Sequence, residues 1–142
     1  MSEYQGKWFE RVEKRVRLHD KLVTASYDDS IDLTVDERIG LRRLAQMVAD
    51  GVTVFTSEEF GDGIGRHGSI AVRILEKLSE KPYERKFTMP DGSVAETSGY
   101  LAGMEHVRME TESGKVVHKF ELSEISSGKL FREALGVLEE GE

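Results

Sequence analysis

Apolar residues recur at helical spacing through the first part of the chain. From Tyr4 to Val23, the residues Trp8, Phe9, Val12, Val16 and Val23 share a face with His19, and Leu18 and Leu22 widen it. Glu10/Lys14 and Glu13/Arg17 stand as favourable i,i+4 pairs on the polar side. A long helix is expected, wide enough in its apolar face to touch two neighbours or a second copy of the chain. Asp28-Asp29-Ser30-Ile31-Asp32 follows as a solvated acidic turn. Its spacing matches the opening of a calcium loop, but Leu33 stands where that loop needs glycine and Ile39 where it needs glutamate. Thr34 and Glu37 form a capping box for a second helix whose Leu41, Leu44, Ala45, Met47 and Val48 point inward as far as about Asp50. Val35 and Ile39 lie off that stripe and are expected to pack beneath the first helix.

Gly51 ends the second helix, and Val52-Thr53-Val54-Phe55 reads as a short strand. Ser57, followed by Glu58 and Glu59, is the expected N-cap of a short helix in which Phe60 and Ile64 share a face. Gly61 leaves room for a close crossing, and Gly65 supplies a positive φ where the helix stops. Ser69 is the expected cap of the next helix, with Ile70, Ala71, Ile74, Leu75 and Leu78 on one stripe and Arg73, Glu76 and Lys77 on the other. One side is expected to be buried and the other offered to a partner. After Pro82, the residues Tyr83, Arg85, Phe87 and Met89 alternate with Glu84, Lys86 and Thr88, and Pro90-Asp91-Gly92 turns the chain into a returning strand at 93–97. A second hairpin pairs 105–111 with 116–122, and Tyr100 to Gly103 are expected to join the two into one sheet of three or four strands. Ser126 or Ser127 is the expected cap of a last helix bearing Leu130, Phe131, Ala134, Leu135 and Leu138 before an acidic end.

Gly61, Gly65 four residues later, and the ending Arg73-Ile74-Leu75-Glu76-Lys77-Leu78 resemble the winged helix-turn-helix domain of bacterial transcription regulators. The resemblance covers residues 34–97, about half the chain, and Arg66 departs from it by standing where such turns usually carry an apolar residue. It implies an α+β fold: a winged helix-turn-helix core with a small antiparallel sheet and extra N- and C-terminal helices. The expected organisation is an N-terminal helix and acidic loop at 1–33, the winged domain at 34–97 with its wing at 83–97, and a β-hairpin plus C-terminal helix at 98–142 packed on the same domain. Gly63-Ile64-Gly65-Arg66-His67-Gly68 also spells G-x-G-x-x-G, the dinucleotide fingerprint. That motif requires a parallel strand after its helix, whereas the sequence here reads as a hairpin.

Composition narrows the function. The chain has 142 residues, 38% of them apolar and none cysteine, which suffices for one core and excludes disulfides and thiolate metal sites. Without a secretory signal, the cytoplasm is the expected compartment, and the apolar runs are too short for a membrane span. The net charge of −7 divides as −1 over residues 1–33, −2 over 34–97 and −4 over 98–142, so the duplex-reading half is close to neutral. Affinity for DNA would then rest on basic side chains gathered on one face. The four histidines, at 19, 67, 106 and 118, are spread over different elements, with His118 expected in the core and His106 on the solvent face with Arg108 and Glu110. No catalytic constellation, metal site or cofactor motif is identified, and an enzyme is not expected.

The resemblance implies that the helix Ser69–Leu78 enters a major groove of double-stranded DNA. Arg66, His67, Ser69 and Arg73 would reach base edges or nearby phosphates, Val72 a thymine methyl, and Lys77, Arg85 and Lys86 the backbone. Terminal helices imply a homodimer by analogy with such regulators. The alternative is an acidic winged-helix adaptor, inhibitor or assembly subunit that binds protein without touching DNA. It draws on Glu58 and Glu59 at the approach to phosphate, on Glu76 among the exposed positions of the reading helix, and on the acidic C-terminal section.

Overall fold

A computed structural model describes residues 3–133, with side chains from Glu10 onward except those of Arg85, Phe87, Thr97 and Ser98. The chain is α+β. Helix α1 (Glu3–Tyr27) packs along α2 (Val35–Ala49), a short strand β1 (Val54–Thr56) leads into α3 (Ser57–Asp62), and α4 (Ser69–Glu80) follows. Four strands come next, β2 (Pro82–Thr88), β3 (Val94–Tyr100), β4 (Met104–Glu110) and β5 (Val116–Leu122), then a 3-10 turn (Ser123–Ile125) and a helix, α5, described over 129–133. No helix among the described residues is long and apolar enough to cross a membrane.

The buried line of α1 differs from the expected one. Leu18, Leu22 and Ala25 are at most 1% exposed, whereas Val16 is 54% exposed and Val12, His19 and Val23 are half-buried. Leu18 and Leu22, expected only to widen the stripe, form its buried centre against α2, since burial favours the larger apolar area of leucine over valine. Trp8 and Phe9 belong to the side chains outside the described set. The Thr34–Glu37 capping box forms as expected. Val35, expected beneath α1, is 73% exposed because it occupies the first position of α2, beside the turn. Arg38 holds that turn together: its guanidinium donates to the carbonyls of Ser26, Asp28 and Ile31 at 3.2, 3.0 and 2.8 Å. Within the acidic loop, Asp28 accepts from the Ser30 amide and hydroxyl, and these bonds hold its carboxyl below the usual range.

Three caps fall one or two residues from their expected places. Thr56, not Ser57, caps α3 in a capping box with Glu59, and Ser57 becomes a buried first-turn residue. Gly68 precedes α4 without a side-chain cap, so Ser69 is the first helical residue. Ser126 and Ser127 lie ahead of α5 by two or three residues; the Ser126 hydroxyl lies 3.0 Å from oxygens of both Glu105 and Glu121. The Leu130 amide donates to Glu121, which is wholly buried and leaves its Oε2 without a partner. Phe131, expected inward, is 51% exposed, and Ala134, Leu135, Leu138 and the acidic end lie outside the described residues.

The strands divide into two antiparallel sheets. One has the order β1-β5-β4, with Phe55 opposite Phe120 and Glu105 opposite Glu121; the other is the β2–β3 hairpin alone. The expected single sheet fails at 101–103. Leu101 and Ala102 turn into the core, at 0% and 1% exposure, while the Leu101 amide closes the hairpin base on the Lys81 carbonyl. The core joins α1, α2, α4 and the three-stranded sheet. Its aromatic centre is Phe55, whose ring centroid lies 6.4 Å from Phe60 and 6.0 Å from Phe120.

Candidate nucleic-acid interface

Two glycine contacts set the position of α4. A Cβ on Gly61 would lie 1.9 Å from the Arg66 carbonyl oxygen, so the turn closes against the backbone of α3 itself. A Cβ on Gly40 would meet Ile74 at 2.9 Å, Leu78 at 3.1 Å and Phe60 at 3.3 Å, and this close crossing brings α2 onto α4. The amides of Ile64 and Arg66 both donate to Gly61, and Gly65 takes φ +66°. Arg43 finishes α3 by donating to the carbonyls of Glu59 and Phe60. These glycines therefore build a tight interhelical turn. The strand after α4 is β2, which pairs antiparallel with β3, so the βαβ unit that G-x-G-x-x-G requires does not follow. Helix α4 buries Ala71, Ile74, Leu75 and Leu78 and exposes Ser69, Arg73, Glu76 and Lys77; Ile70, expected on the buried stripe, is 51% exposed because it stands in the first turn, ahead of the crossing with α2 at Ile74 and Leu78.

The expected site residues separate into three groups. Ser69, Val72 and Arg73 line one groove beside α4, with Val72 half-buried against the core and Lys77 exposed one turn beyond Arg73. Arg66 and His67 sit in the turn and both face carboxylates. The Arg66 guanidinium holds Asp36 Oδ1 through Nε at 3.2 Å and Nη2 at 3.0 Å, and His67 Nδ1 lies 3.6 Å from Asp62. Lys86 pairs with Glu96 across the β2–β3 hairpin at 3.3 Å, in the separate sheet. Arg85 is on β2, and its side chain is outside the described set.

The groove beside α4 has a volume of about 490 Å³, and its far wall is β5. Glu58, Glu76 and His118 line it together with Ser69, Val72 and Arg73, so both charge signs face the opening. Lys115, at the β4–β5 turn, pairs with Glu58 at 3.2 Å and ties that hairpin to the start of α3.

Beside this groove the two hairpin histidines meet. His106 Nε2 lies 2.8 Å from His118 Nδ1, and the His106 ring stacks on Phe120 at 4.2 Å with planes 12° apart. Burial and the neighbouring His118 lower the His106 pKa from its usual value, against a smaller opposing pull from Glu76. The expectation of opposite faces is corrected by the register: His106 pairs with Phe120 and Arg108 with His118, and directly opposed residues in an antiparallel pair share a face. His118 is half-buried and His106 is exposed, because this face is covered at Phe120 and opens toward the hairpin tip. The histidine contact was accessible from the turn at 112–115, which fixes which residues of β4 and β5 stand opposite one another. Among the described residues, no three histidine or carboxylate side chains converge on a metal-sized space.

Comparison of the chain with protein-family models, with curated proteins and with solved structures gives no match.

Proposed function

We propose that the chain is a non-enzymatic, DNA-binding transcriptional regulator with a winged helix-turn-helix core, reading double-stranded DNA with α4. The observation that carries this reading is the uncovered side of α4, where Ser69, Arg73 and Lys77 are exposed while the opposite side is anchored in the core. A helix held in this way can enter a major groove without unfolding anything. The connectivity α2-β1-α3-α4 followed by two strands of the β1-β5-β4 sheet supports the winged core. The hairpin expected as the wing, at 83–97, pairs only within itself among the described residues and not with β1, so in this reading the wing is instead the β4–β5 hairpin, which β1 holds beside α4, and the 82–100 hairpin is an insertion between α4 and the wing. Arg108 and Lys115 on β4–β5 then join Arg73 and Lys77 as phosphate contacts. Arg66, held by Asp36, serves as a half-released contact, and Arg85 and Lys86 lie on the inserted hairpin. Fluorescence-polarisation titration of a random duplex at 50 and 200 mM salt tests the reading. Binding that weakens at least tenfold supports it, and no binding at 50 mM overturns it.

Glu58 and Glu76 in the groove beside α4 favour the second reading, an adaptor that receives a basic protein segment there. Such a complex would form without DNA and leave the duplex titration flat. The proposed homodimer rests on α1, whose Val16 is 54% exposed and whose Val12 is half-buried. Sedimentation equilibrium of the wild type and Val16→Glu tests it, with a monomeric wild type as the contrary result.

A further inference from the structure

The line that begins as the buried face of α1 runs Ala25, Leu22, Leu18 and continues toward the N-terminus through half-buried Arg15 to exposed Arg11, at alternating spacings of three and four. Its first three members are at most 1% exposed in the core. The next two, on the same face, are arginines. The change from apolar to cationic occurs where α1 passes over a cleft of about 370 Å³, whose other wall is formed by Thr53 and by residues 124–127. Lys14, also on α1, lines the same cleft. A volume of this size lies within the range of small-molecule sites.

Three cations therefore share one space with the hydroxyls of Thr53 and Ser127, while the Ser126 hydroxyl is turned to Glu105 and Glu121. Glu124, the acid in the lining, is held by Lys21, which also donates to the Tyr100 carbonyl at 3.1 Å. None of Arg11, Lys14 and Arg15 forms an ion pair with a described residue. Val12 and Ile125 give the cleft an apolar part beside the cations. An oxyanion with two or more charges matches arginine forks and hydroxyl donors, and an attached hydrocarbon matches the valine and isoleucine.

We propose that this cleft is a binding site for a small phosphorylated metabolite. The phosphate is held by Arg11, Lys14 and Arg15, and the organic part is seated on Val12 and Ile125. The site does not depend on duplex binding, because it uses neither α4 nor the groove beside it.

Amide-detected NMR titration with phenyl phosphate and with inorganic phosphate tests the proposal. The expected result is saturable shifts at Thr53 and 125–127, with phenyl phosphate at least threefold tighter than inorganic phosphate. Arg11→Gln/Arg15→Gln should weaken phenyl phosphate at least tenfold, Arg15→Lys should retain most of the affinity, and Arg73→Ala should leave it unchanged. If the double variant loses its dispersed spectrum, Arg11→Gln alone, at an exposed position, supplies the comparison with a threefold loss expected. Linear shifts that never saturate would overturn the site, as would shifts spread equally over all surface cations. So would an affinity that survives the arginine changes in a folded variant, or equal affinities for the two phosphates.

Discussion

Replacing Gly61 with alanine separates a turn glycine from an ordinary helix glycine by the sign of its effect. In a helix with open space beside it, the change would stabilise by up to about 1 kcal/mol through propensity. Here the new Cβ would stand 1.9 Å from the Arg66 carbonyl oxygen, against ordinary contacts that begin near 3.4 Å, so the backbone must retreat by about 1.5 Å. That movement breaks the 3.1 Å bond from the Arg66 amide to the Gly61 carbonyl, a loss of about 1 kcal/mol, and overpacking adds about 1–3 kcal/mol. After the propensity gain is subtracted, a net loss of about 1–3 kcal/mol remains. It is a large share of the ~5–15 kcal/mol that holds a typical domain together. Urea denaturation followed by far-UV circular dichroism reads the change as a lower midpoint at unchanged slope. Gly65→Ala serves as the companion: nothing lies within 4 Å of its Cβ, and its φ of +66° alone costs about 1–2 kcal/mol. A Gly61→Ala protein as stable as the wild type, or more so, would refute the close turn and the placement of α4 that depends on it.

Arg38→Ala should cost about 1–3 kcal/mol, because three carbonyls of the α1–α2 connection lose a charged donor at once; thermal denaturation measures it. Asp36→Asn should change stability by less than about 1 kcal/mol, since both members of its pair with Arg66 are about two-fifths exposed. The same variant frees Arg66, so random-duplex affinity at low salt should rise; a fall would contradict the role given to that arginine. Lowering of the His106 pKa means that the unfolded chain takes up this proton first as pH falls. Stability from this group is therefore complete above the ordinary value of 6.5 and is lost as pH falls toward the folded value. Urea midpoints at pH 7.5, 6.5 and 5.5 should decline less steeply in His106→Gln than in the wild type, and parallel curves would contradict the assignment.

Local signals in the sequence were legible where they were self-contained. The Thr34–Glu37 capping box, the apolar face of α4 apart from Ile70, and the turns of both hairpins depend on neighbours within a few residues, and each is found in place. The inward face of α1 was not, because valines and leucines both satisfied the helical period and only α2 decides which of them is covered. Partition of the strands was equally hidden. Burial of Leu101 and Ala102 breaks the chain between β3 and β4, and the partner of β1 proves to be β5, more than sixty residues away. Among the site residues, Ser69, Val72 and Arg73 could be grouped from helical spacing. The Asp36 grip on Arg66 and the Lys115–Glu58 tie join distant elements and no local pattern announces them, whereas the meeting of His106 with His118 follows from the register that the turn at 112–115 sets. Arg11 and Arg15 were readable as polar residues of α1. Their place on the continuation of the buried line, beside the cleft, appears only once Leu18 and Leu22 are known to form that line.

Salt dependence of duplex binding in the Arg73→Ala/Lys77→Ala variant bears most directly on the role given to α4. Both side chains stand exposed on the uncovered side of α4, so their loss leaves the buried stripe intact and should not change the unfolding midpoint by more than about 0.5 kcal/mol. If they meet bases or phosphates, the slope of log affinity against log salt should become shallower by about one to two, with a loss of about 1–3 kcal/mol at 100 mM salt. An unchanged slope and unchanged affinity in a folded double variant would mean that α4 does not face the duplex.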